Sequence, residues 1–392
     1  MDFAFSKEQE DLRKEVHDFL VRELPVDFDG EVFALSEELE AFYKKAQKKM
    51  VDKGWLAASW PQEHGGLGLS EIEQGIINEE QGYWATCWYW PNEIGITIAA
   101  PVILIFGTEE QKKKLLPPIA RGEAMWDLLF TEPNAGSDLA NVQLRASADG
   151  DDFILNGQKY FVGSSYKPDW LITLTRTADA TPKHKGLTMF VIPADTPGIT
   201  YRPFPVFGGE LKNEAFFDDV RVSKENILGE LNRGFYVAVT ALDYDRTNSG
   251  MAARFRRNLD EFVQFCKETK RNGKLLIEDP QVRDTLAQVA IEVEILKLAG
   301  WRTVCRFDQR DKLGPLDYDL AAYYWKLWWA RHCDLLMNIM GLYGQLRTGS
   351  KWSQLRGSLE RRWQLTRSPH NGGTLELVKL NLARSLGLPR KR

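Results

Sequence analysis

The run Thr131-Glu132-Pro133-Asn134-Ala135-Gly136-Ser137-Asp138 carries the most information in this chain. It combines closely spaced hydroxyls with small residues whose backbone amides can approach a ligand, as in loops that cradle a phosphate or the polar edge of a ring. A second run, Asn156-Gly157-Gln158-Lys159-Tyr160-Phe161-Val162-Gly163-Ser164, is typical of a turn that leads into a β-rich segment. Its aromatic ring, Phe161, is flanked by small residues, which suits the face of a flat heterocycle. Taken alone, each run is equally consistent with an ordinary turn.

The composition limits the class of protein. The 392 residues are 43% hydrophobic and 27% charged, which is typical of a globular chain with a large core. The formal net charge of -4 gives no reason to expect nucleic acid as a partner. No apolar run approaches the roughly 20 residues that span a bilayer, and the N-terminus shows neither a signal-peptide nor a transit-peptide pattern. We therefore expect a cytoplasmic protein without a membrane span.

The cysteines and histidines argue against a metal centre. The four cysteines and five histidines are scattered, without the spacing of metal ligands. We interpret the cysteines as free thiols in a reducing compartment. The sequence therefore predicts no metal site.

The hydrophobic periodicity changes twice along the chain. The first third is helical: Ser6 resembles an N-cap, a helical pattern runs through 72–83, and Thr108 opens another helix. Short β-type runs at 153–155, 170–174, 188–192 and 214–217 then alternate with turn residues, as in a small antiparallel barrel or sandwich. Amphipathic helical segments follow at about 235–268, 280–310, 316–345 and 374–386. This order predicts an α+β fold with an N-terminal helical domain, a middle antiparallel β-barrel domain and a C-terminal helical bundle.

In this order and at this separation, the two opening runs resemble the flavin-binding middle domain of the acyl-CoA dehydrogenase family. Further runs extend the resemblance over essentially the whole chain, at 60–68, 105–111, 217–222, 226–229, 372–377 and 382–390. The resemblance implies an all-α domain over 1–122, a β-barrel domain over 123–228 and a helical-bundle domain over 229–392.

The resemblance also implies an activity. Family members remove two hydrogens from the α and β carbons of an acyl-CoA thioester: a carboxylate takes the α proton, and the β hydrogen moves as hydride to FAD. Because that α proton is weakly acidic, the protein must stabilise enolate charge and hold a poorly hydrated base over the carbon. We therefore expect FAD, an acyl-CoA substrate with a branched, cyclic or aromatic acyl group, and an electron-transfer flavoprotein or similar acceptor. A homodimer or homotetramer is expected, with a hetero-oligomer as the alternative.

Cofactor contacts are assigned by the same resemblance. The flavin ring is expected against residues 128–131 and beside Phe161, which stands where Trp is common. Gly163 falls where Thr or Ser usually hydrogen-bonds near flavin N5, so that contact is lost unless Ser164 supplies it. The run 269–273 replaces a phosphate-binding Arg-x-x-Phe-Gly pattern, which leaves Arg271 or Lys270 to supply the charge. The cofactor candidates are Leu128, Leu129, Phe130, Thr131, Ser137, Phe161, Gly163, Ser164, Arg271, Thr374 and Glu376.

The catalytic base shows the most important departure from the family pattern. Many relatives carry the catalytic Glu where this chain has Gly372, whose backbone amide would still hold the thioester oxygen. Other relatives place the base directly before an Arg on the first long helix of the C-terminal domain, and Asp245 matches that position. The resemblance therefore implies Asp245 as base and Gly372 as oxyanion donor. The candidate substrate-binding residues are Ser137, Asp243, Arg246 and Gly373.

Several alternatives stay open at this point. Asp245 could be an ordinary solvated helix carboxylate. A non-catalytic partner subunit of a hetero-oligomeric acyl-CoA dehydrogenase would keep the fold without the chemistry, and Gly372 and Gly163 favour it. A flavin monooxygenase or oxidase on the same fold is a third possibility. The Trp-rich segment 323–329 is expected at a subunit interface, with an internal core helix as the alternative.

Overall fold

In a computed structural model of the protein, the described residues are 4–24, 37–84, 93–163, 168–208, 211–245, 250–309, 314–367 and 373–388, with the backbone alone at 37–44, 245 and 315. Their contacts group the chain into two compact units. The helical unit comprises residues 1–35, 70–89 and 246–392, and the sheet unit comprises residues 36–69 and 90–245.

The helical unit is built from long helices with clear start signals. Ser6 forms a capping box with Gln9 at the first helix, as its sequence predicted, and Asp279 caps the helix that begins at Pro280. The helices are α1 (Lys7–Glu23), α3 (Glu71–Tyr83), α7 (Gly250–Glu268), α8 (Pro280–Asp308), α9 (Pro315–Met340), α10 (Ser358–Leu365) and α11 (Leu375–Ser385). A hairpin of β8 (Lys270–Arg271) and β9 (Lys274–Leu275) lies between α7 and α8 in the sequence.

Helices α3 and α7 pack closely because glycine leaves their backbones room to approach. A Cβ built on Gly82 would lie 2.1 Å from the carbonyl oxygen of Gly250. The Tyr83 hydroxyl donates to Asp260 at 3.2 Å. These contacts fix α3 against α7 within the helical unit.

The Trp-rich segment forms part of α9. Trp325 and Trp328 are buried in the core of the helical unit, together with Phe255 and Leu336. Those two indoles therefore serve the internal packing that was the alternative to an interface, while Leu327 on the same helix is exposed.

The sheet unit combines helices with a curled sheet. Its helices are α2 (Glu37–Asp52), α4 (Ala100–Phe106), α5 (Glu109–Ala120) and α6 (Gly234–Asp245). Its strands are β1 (Trp126–Leu129), β2 (Arg145–Asp149), β3 (Asp152–Val162), β4 (Trp170–Arg176), β5 (Leu187–Pro193), β6 (Ile199–Pro205) and β7 (Leu211–Ser223). The described strands pair in the order β1-β4-β2-β3-β7-β6, with β5 also paired to β4.

Side chains that alternate along strands β4 and β5 pack into two different hydrophobic cores. Ile172 and Met189 face a cluster that contains residues of α4, α5 and α6, whereas Leu171 and Phe190 face the interior of the curled sheet. Strands buried on both faces show continuous apolar runs, which is why 170–174 and 188–192 stand out in the sequence. The interior of the sheet is therefore an apolar core.

The predicted α+β fold is confirmed, and so are all four predicted β-type runs, which lie in β3, β4, β5 and β7. Two details differ from the sequence analysis. Strands β1 and β4 pair in parallel within the otherwise largely antiparallel sheet, and strands β2 and β6 had no clear signal because much of their surface is exposed. The domain boundaries at 122/123 and 228/229 stay predictions. No helix among the described residues has the length and apolarity to cross a membrane.

Candidate functional site

The two informative sequence runs meet in the sheet unit. Strand β1 ends at Leu129 and leads into Phe130, both buried, and then into the half-buried Thr131. The carbonyl of Thr131 accepts a hydrogen bond of 2.8 Å from the backbone N–H of Tyr160. The end of β1 and the end of β3 therefore lie side by side.

Residues 160–163 form a bulge segment that presents an aromatic ring. The pairing of β3 with β7 shifts register between Lys159 and Val162. Within the bulge segment, Phe161 adopts a left-handed backbone conformation (φ 58°), and 54% of its surface is exposed. Tyr160 and Phe204 stack beside it with ring centroids 4.7 Å apart. An exposed aromatic ring supported by two others is a suitable platform for a flat ligand.

A buried ion pair ties the loop after β1 to strand β3. Lys159 is fully buried, and its Nζ lies 2.8 Å from Oε1 of Glu132 and 3.1 Å from the carbonyl of Phe130. Glu132 also accepts the backbone N–H groups of Gln143 and Leu144, at 2.6 and 2.9 Å. Burial lowers the pKa of Lys159, and the Glu132 carboxylate opposes that shift. Both residues stand in the quoted runs, yet the sequence analysis assigned them no role.

The Asp127 carboxyl is a second buried charge that the sequence analysis missed. It accepts the backbone N–H of Leu128 at 2.8 Å, and its Oδ2 lies against the backbone of Gly163. Burial raises the pKa of Asp127 from its ordinary value of 3.8 to about 7, while the backbone N–H groups of Leu128 and Gly163, together with Lys212, oppose the rise. The hydroxyl of Tyr201, close enough for Asp127 to raise its pKa, is buried without a hydrogen-bond partner among the described residues. A glycine inside a strand pattern, at 163, was the available signal of a close approach.

The loop that contains Ser137 is open to ligand. Ser137 is exposed, and a Cβ built on Gly136 would meet nothing within 4 Å. The loop's far end is held by Arg176, which is buried and donates to the carbonyls of Ala140 and Val142 at 2.7 and 2.8 Å. The sheet unit thus presents a half-buried hydroxyl, an exposed hydroxyl and an exposed ring.

Three candidate residues belong to the start of α11 in the helical unit. Gly373 has a left-handed φ of 99°, and the Thr374 hydroxyl caps the helix by accepting the N–H of Leu377 at 3.3 Å. Glu376 is exposed in the first turn. Arg271 lies on the β8–β9 hairpin, where its guanidinium donates to the carbonyl of Ile339. The assignment of these residues to FAD stays a prediction.

The candidate base lies at the last described residue of α6. Helix α6 carries Asp243, which is half-buried, and Asp245, of which only the backbone is described. Ser164, Arg246 and Gly372 lie outside the described residues. The described residues also contain no group of three or more His, Cys, Asp or Glu side chains that could hold a metal ion.

The residues of the sheet unit fit a flavin. A flavin needs an apolar surface for the ring face and polar groups along the ring edge, and Phe161 and Thr131 supply these on adjacent strand ends. The open loop around Gly136 leaves space beside them.

Along the chain, a curled sheet with this aromatic bulge is flanked by helical segments, which is the architecture of a class of acyl-CoA oxidoreductases. The chain matches the acyl-CoA dehydrogenase N-terminal domain over residues 6–123, the middle domain over 128–220 and the C-terminal domain over 232–387. It is 30% identical to the acyl-CoA dehydrogenase FadE26 of Mycobacterium tuberculosis, over 100% of this chain and 99% of that protein. The chain therefore belongs to the acyl-CoA dehydrogenase family and is an oxidoreductase of that family.

Solved structures agree with this assignment. The ChsE4-ChsE5 complex from Mycobacterium tuberculosis is similar with a TM-score of 0.87 and 30% identity, covering 100% of both chains. The Tcur3481-Tcur3483 steroid ACAD gives a TM-score of 0.87 and 28% identity, again covering 100% of both chains. The predicted family and fold are thereby confirmed.

The raised pKa of Asp127 predicts a pH-dependent stability. Burial disfavours the ionised carboxyl. The free-energy cost of this effect is absent below pH 3.8, where the carboxyl is protonated in both states. The cost grows between pH 3.8 and about 7 and is constant above that. The full cost is on the order of 4 kcal/mol. We expect the unfolding free energy of the wild type, relative to Asp127→Asn, to fall as pH rises from 4 to 7. Denaturant unfolding at several pH values measures this difference, and parallel pH curves for the two proteins would contradict it.

Proposed function

We propose that this protein catalyses FAD-dependent α,β-dehydrogenation of an acyl-CoA with a bulky cyclic acyl group. The observation that carries the proposal is the meeting of Thr131 with the bulge segment, because it sets a polar strand end beside the exposed Phe161 ring. When bound, FAD would supply the hydride acceptor. The residues proposed to hold it in the sheet unit are Leu128, Leu129, Phe130, Thr131, Ser137 and Phe161.

Helix α6 supports Asp245 as the proposed base. Position 245 stands four residues after Ala241 and seven after Ala238, and both alanines are fully buried. At helical spacing these three positions share one face of the helix, and the two alanines on that face pack into the core of the sheet unit. A carboxylate on such a face would be poorly hydrated, which suits proton abstraction near neutral pH.

Replacement of Asp245 tests this assignment. We expect Asp245→Asn to retain the flavin spectrum and the thermal stability but to lose turnover by about 10³-fold, because removal of a general base typically has an effect of this size. Asp195→Asn makes the same chemical change at an exposed turn and is the matched control. Steady-state and single-turnover flavin reduction measure the loss. Full activity in Asp245→Asn would eliminate this base.

The likeness to a steroid acyl-CoA dehydrogenase supports a polycyclic acyl group as substrate. In addition, Gly372 offers no side chain at the loop position where many relatives carry the base. A base moved to another helix and a loop without a side chain suit an acyl group with bulk near the reacting carbons.

A panel of acyl-CoA thioesters tests the substrate class. We expect steroid-ring and other cyclic acyl-CoAs to bleach bound flavin at least about tenfold faster than straight-chain acyl-CoAs, because a pocket shaped for ring carbons loses apolar contacts with a thin chain. Stopped-flow absorbance near 450 nm measures these rates. Preference for straight saturated chains would contradict the proposal.

Rapid oxygen consumption during turnover would instead indicate an oxidase or monooxygenase, and transfer to an electron-transfer flavoprotein would support a dehydrogenase.

A non-catalytic subunit of a hetero-oligomer is the second candidate function. Two similar structures, the ChsE4-ChsE5 complex and the Tcur3481-Tcur3483 steroid ACAD, are each named for two components, and Gly372 lacks the side chain of a loop base. Helix α8 offers an apolar surface for a partner, since Ile291, Ile295 and Leu298 are exposed at helical spacing.

The state of the protein purified alone separates these candidates. For a self-sufficient enzyme we expect a yellow homo-oligomer, with Leu298→Glu shifting its mass toward the monomer because a charge enters the apolar face. Light scattering coupled to the visible spectrum measures both properties, and Gln281→Glu at the exposed start of the same helix is the control for added negative charge. A colourless protein that takes up FAD only with a second polypeptide would favour the partner-subunit function.

A further inference from the structure

The Asp127 carboxyl lies directly against Gly163 at the end of the curled sheet. A Cβ built on Gly163 would lie 2.0 Å from Oδ2 of Asp127 and 3.0 Å from its Cγ. The Asp127 side chain therefore fills the volume that a side chain at 163 would need. Gly163 also adopts a left-handed φ of 52°, which glycine adopts without strain.

The bulge segment is held at both of its ends. Its start is fixed by the bond from the Tyr160 N–H to the Thr131 carbonyl, at 2.8 Å. At its end, the Asp127 carboxyl lies against the Gly163 backbone, and Val162 pairs with Asn213 of β7, whose side chain donates weakly to the Val162 carbonyl at 3.4 Å. Loss of the Asp127 carboxyl would leave Gly163 without that support, while the pairing of Val162 remains.

The Asp127 carboxyl lies in largely apolar surroundings. It is buried on the same side of β1 as Leu129, which belongs to the apolar interior of the sheet. Lys212 on β7 lowers the pKa of Asp127, and the Asp127 charge in turn raises the pKa of Tyr201 on β6. Burial of a carboxyl in such a place costs free energy. We therefore interpret Asp127 as a residue whose polar contacts maintain the local structure.

We infer that Asp127 is a positioning residue for the flavin: it replaces a side chain at position 163 and holds the bulge segment so that Phe161 meets the ring. This inference rests on the proposed binding of FAD. Asp127 acts through the Gly163 backbone, so it determines how firmly and in what environment the flavin is held.

The dissociation of FAD from the purified holoprotein tests the inference. Asp127→Asn removes the charge and one acceptor, and Asp127→Ala removes both acceptors. We expect FAD to leave about 5-fold faster in the first variant and more than about 10-fold faster in the second, because the contact of the carboxylate with the Gly163 backbone is weakened in the first and lost in the second. Flavin fluorescence after dilution measures the rate, and the shape of the 450 nm band reports the ring environment. Asp169→Asn is the matched control, because this exposed carboxyl also accepts a backbone N–H, that of Met125, just before the same strand.

A rescue experiment separates positioning from a general loss of stability. Gly163→Ser should speed FAD release about tenfold in the wild-type background, where the new Cβ meets the Asp127 carboxyl. In the Asp127→Ala background the same substitution should speed the release by a clearly smaller factor, because the space is vacant and only the left-handed backbone conformation opposes the new side chain. Equal effects in both backgrounds would overturn the inference. Circular dichroism of each variant verifies folding, and if Gly163→Ser does not fold, the two Asp127 variants decide.

Failure of the proposed function and failure of the inference about Asp127 would give different results. A wild-type protein that cannot bind FAD would refute the proposed function. A wild-type protein that binds FAD, with both Asp127 variants matching it in release rate and visible spectrum, would refute the role of Asp127 alone.

Discussion

The buried ion pair of Lys159 and Glu132 is the interaction on which the candidate site depends. A fully buried ammonium is tolerated only if its partners nearly saturate it, and here a carboxylate and the Phe130 carbonyl do so. The carboxylate in turn accepts two backbone N–H groups, from Gln143 and Leu144, so one pair ties the loop after β1 to β3. Removal of either partner would leave the other charge unpaired in an apolar interior, which is far more costly than the net contribution of the intact pair.

Asp127 extends the same principle to the far end of the bulge segment. Two buried side chains, Asp127 on β1 and Lys159 on β3, support the backbone on either side of Phe161, in addition to the packing of its ring against Tyr160 and Phe204. The two charges differ in their surroundings. Lys159 has a full countercharge in contact, whereas Asp127 relies mainly on backbone N–H groups, and burial therefore raises its pKa into the neutral range.

The chain divides into two units, and the described residues proposed to contact the flavin ring lie in the sheet unit. Strand ends in the sheet unit present Thr131 and Phe161, and the helical unit carries Arg271 and the capped start of α11. Each unit has its own apolar core. The proposed FAD and acyl-CoA sites follow from the membership of this chain in the acyl-CoA dehydrogenase family.

The sequence by itself determined the order of helices and strands, because side-chain periodicity and caps such as Ser6 and Thr108 act over a few residues. It also made Thr131 and Phe161 candidates for flavin binding, through the resemblance of their runs to the family pattern. It could not identify Asp127, whose neighbours along the chain are those of any buried strand. Only the tertiary structure set the Asp127 carboxyl against Gly163 and paired Lys159 with Glu132. Such contacts join residues about 30 positions apart, and they depend on strand register and on a bulge that no local pattern specifies.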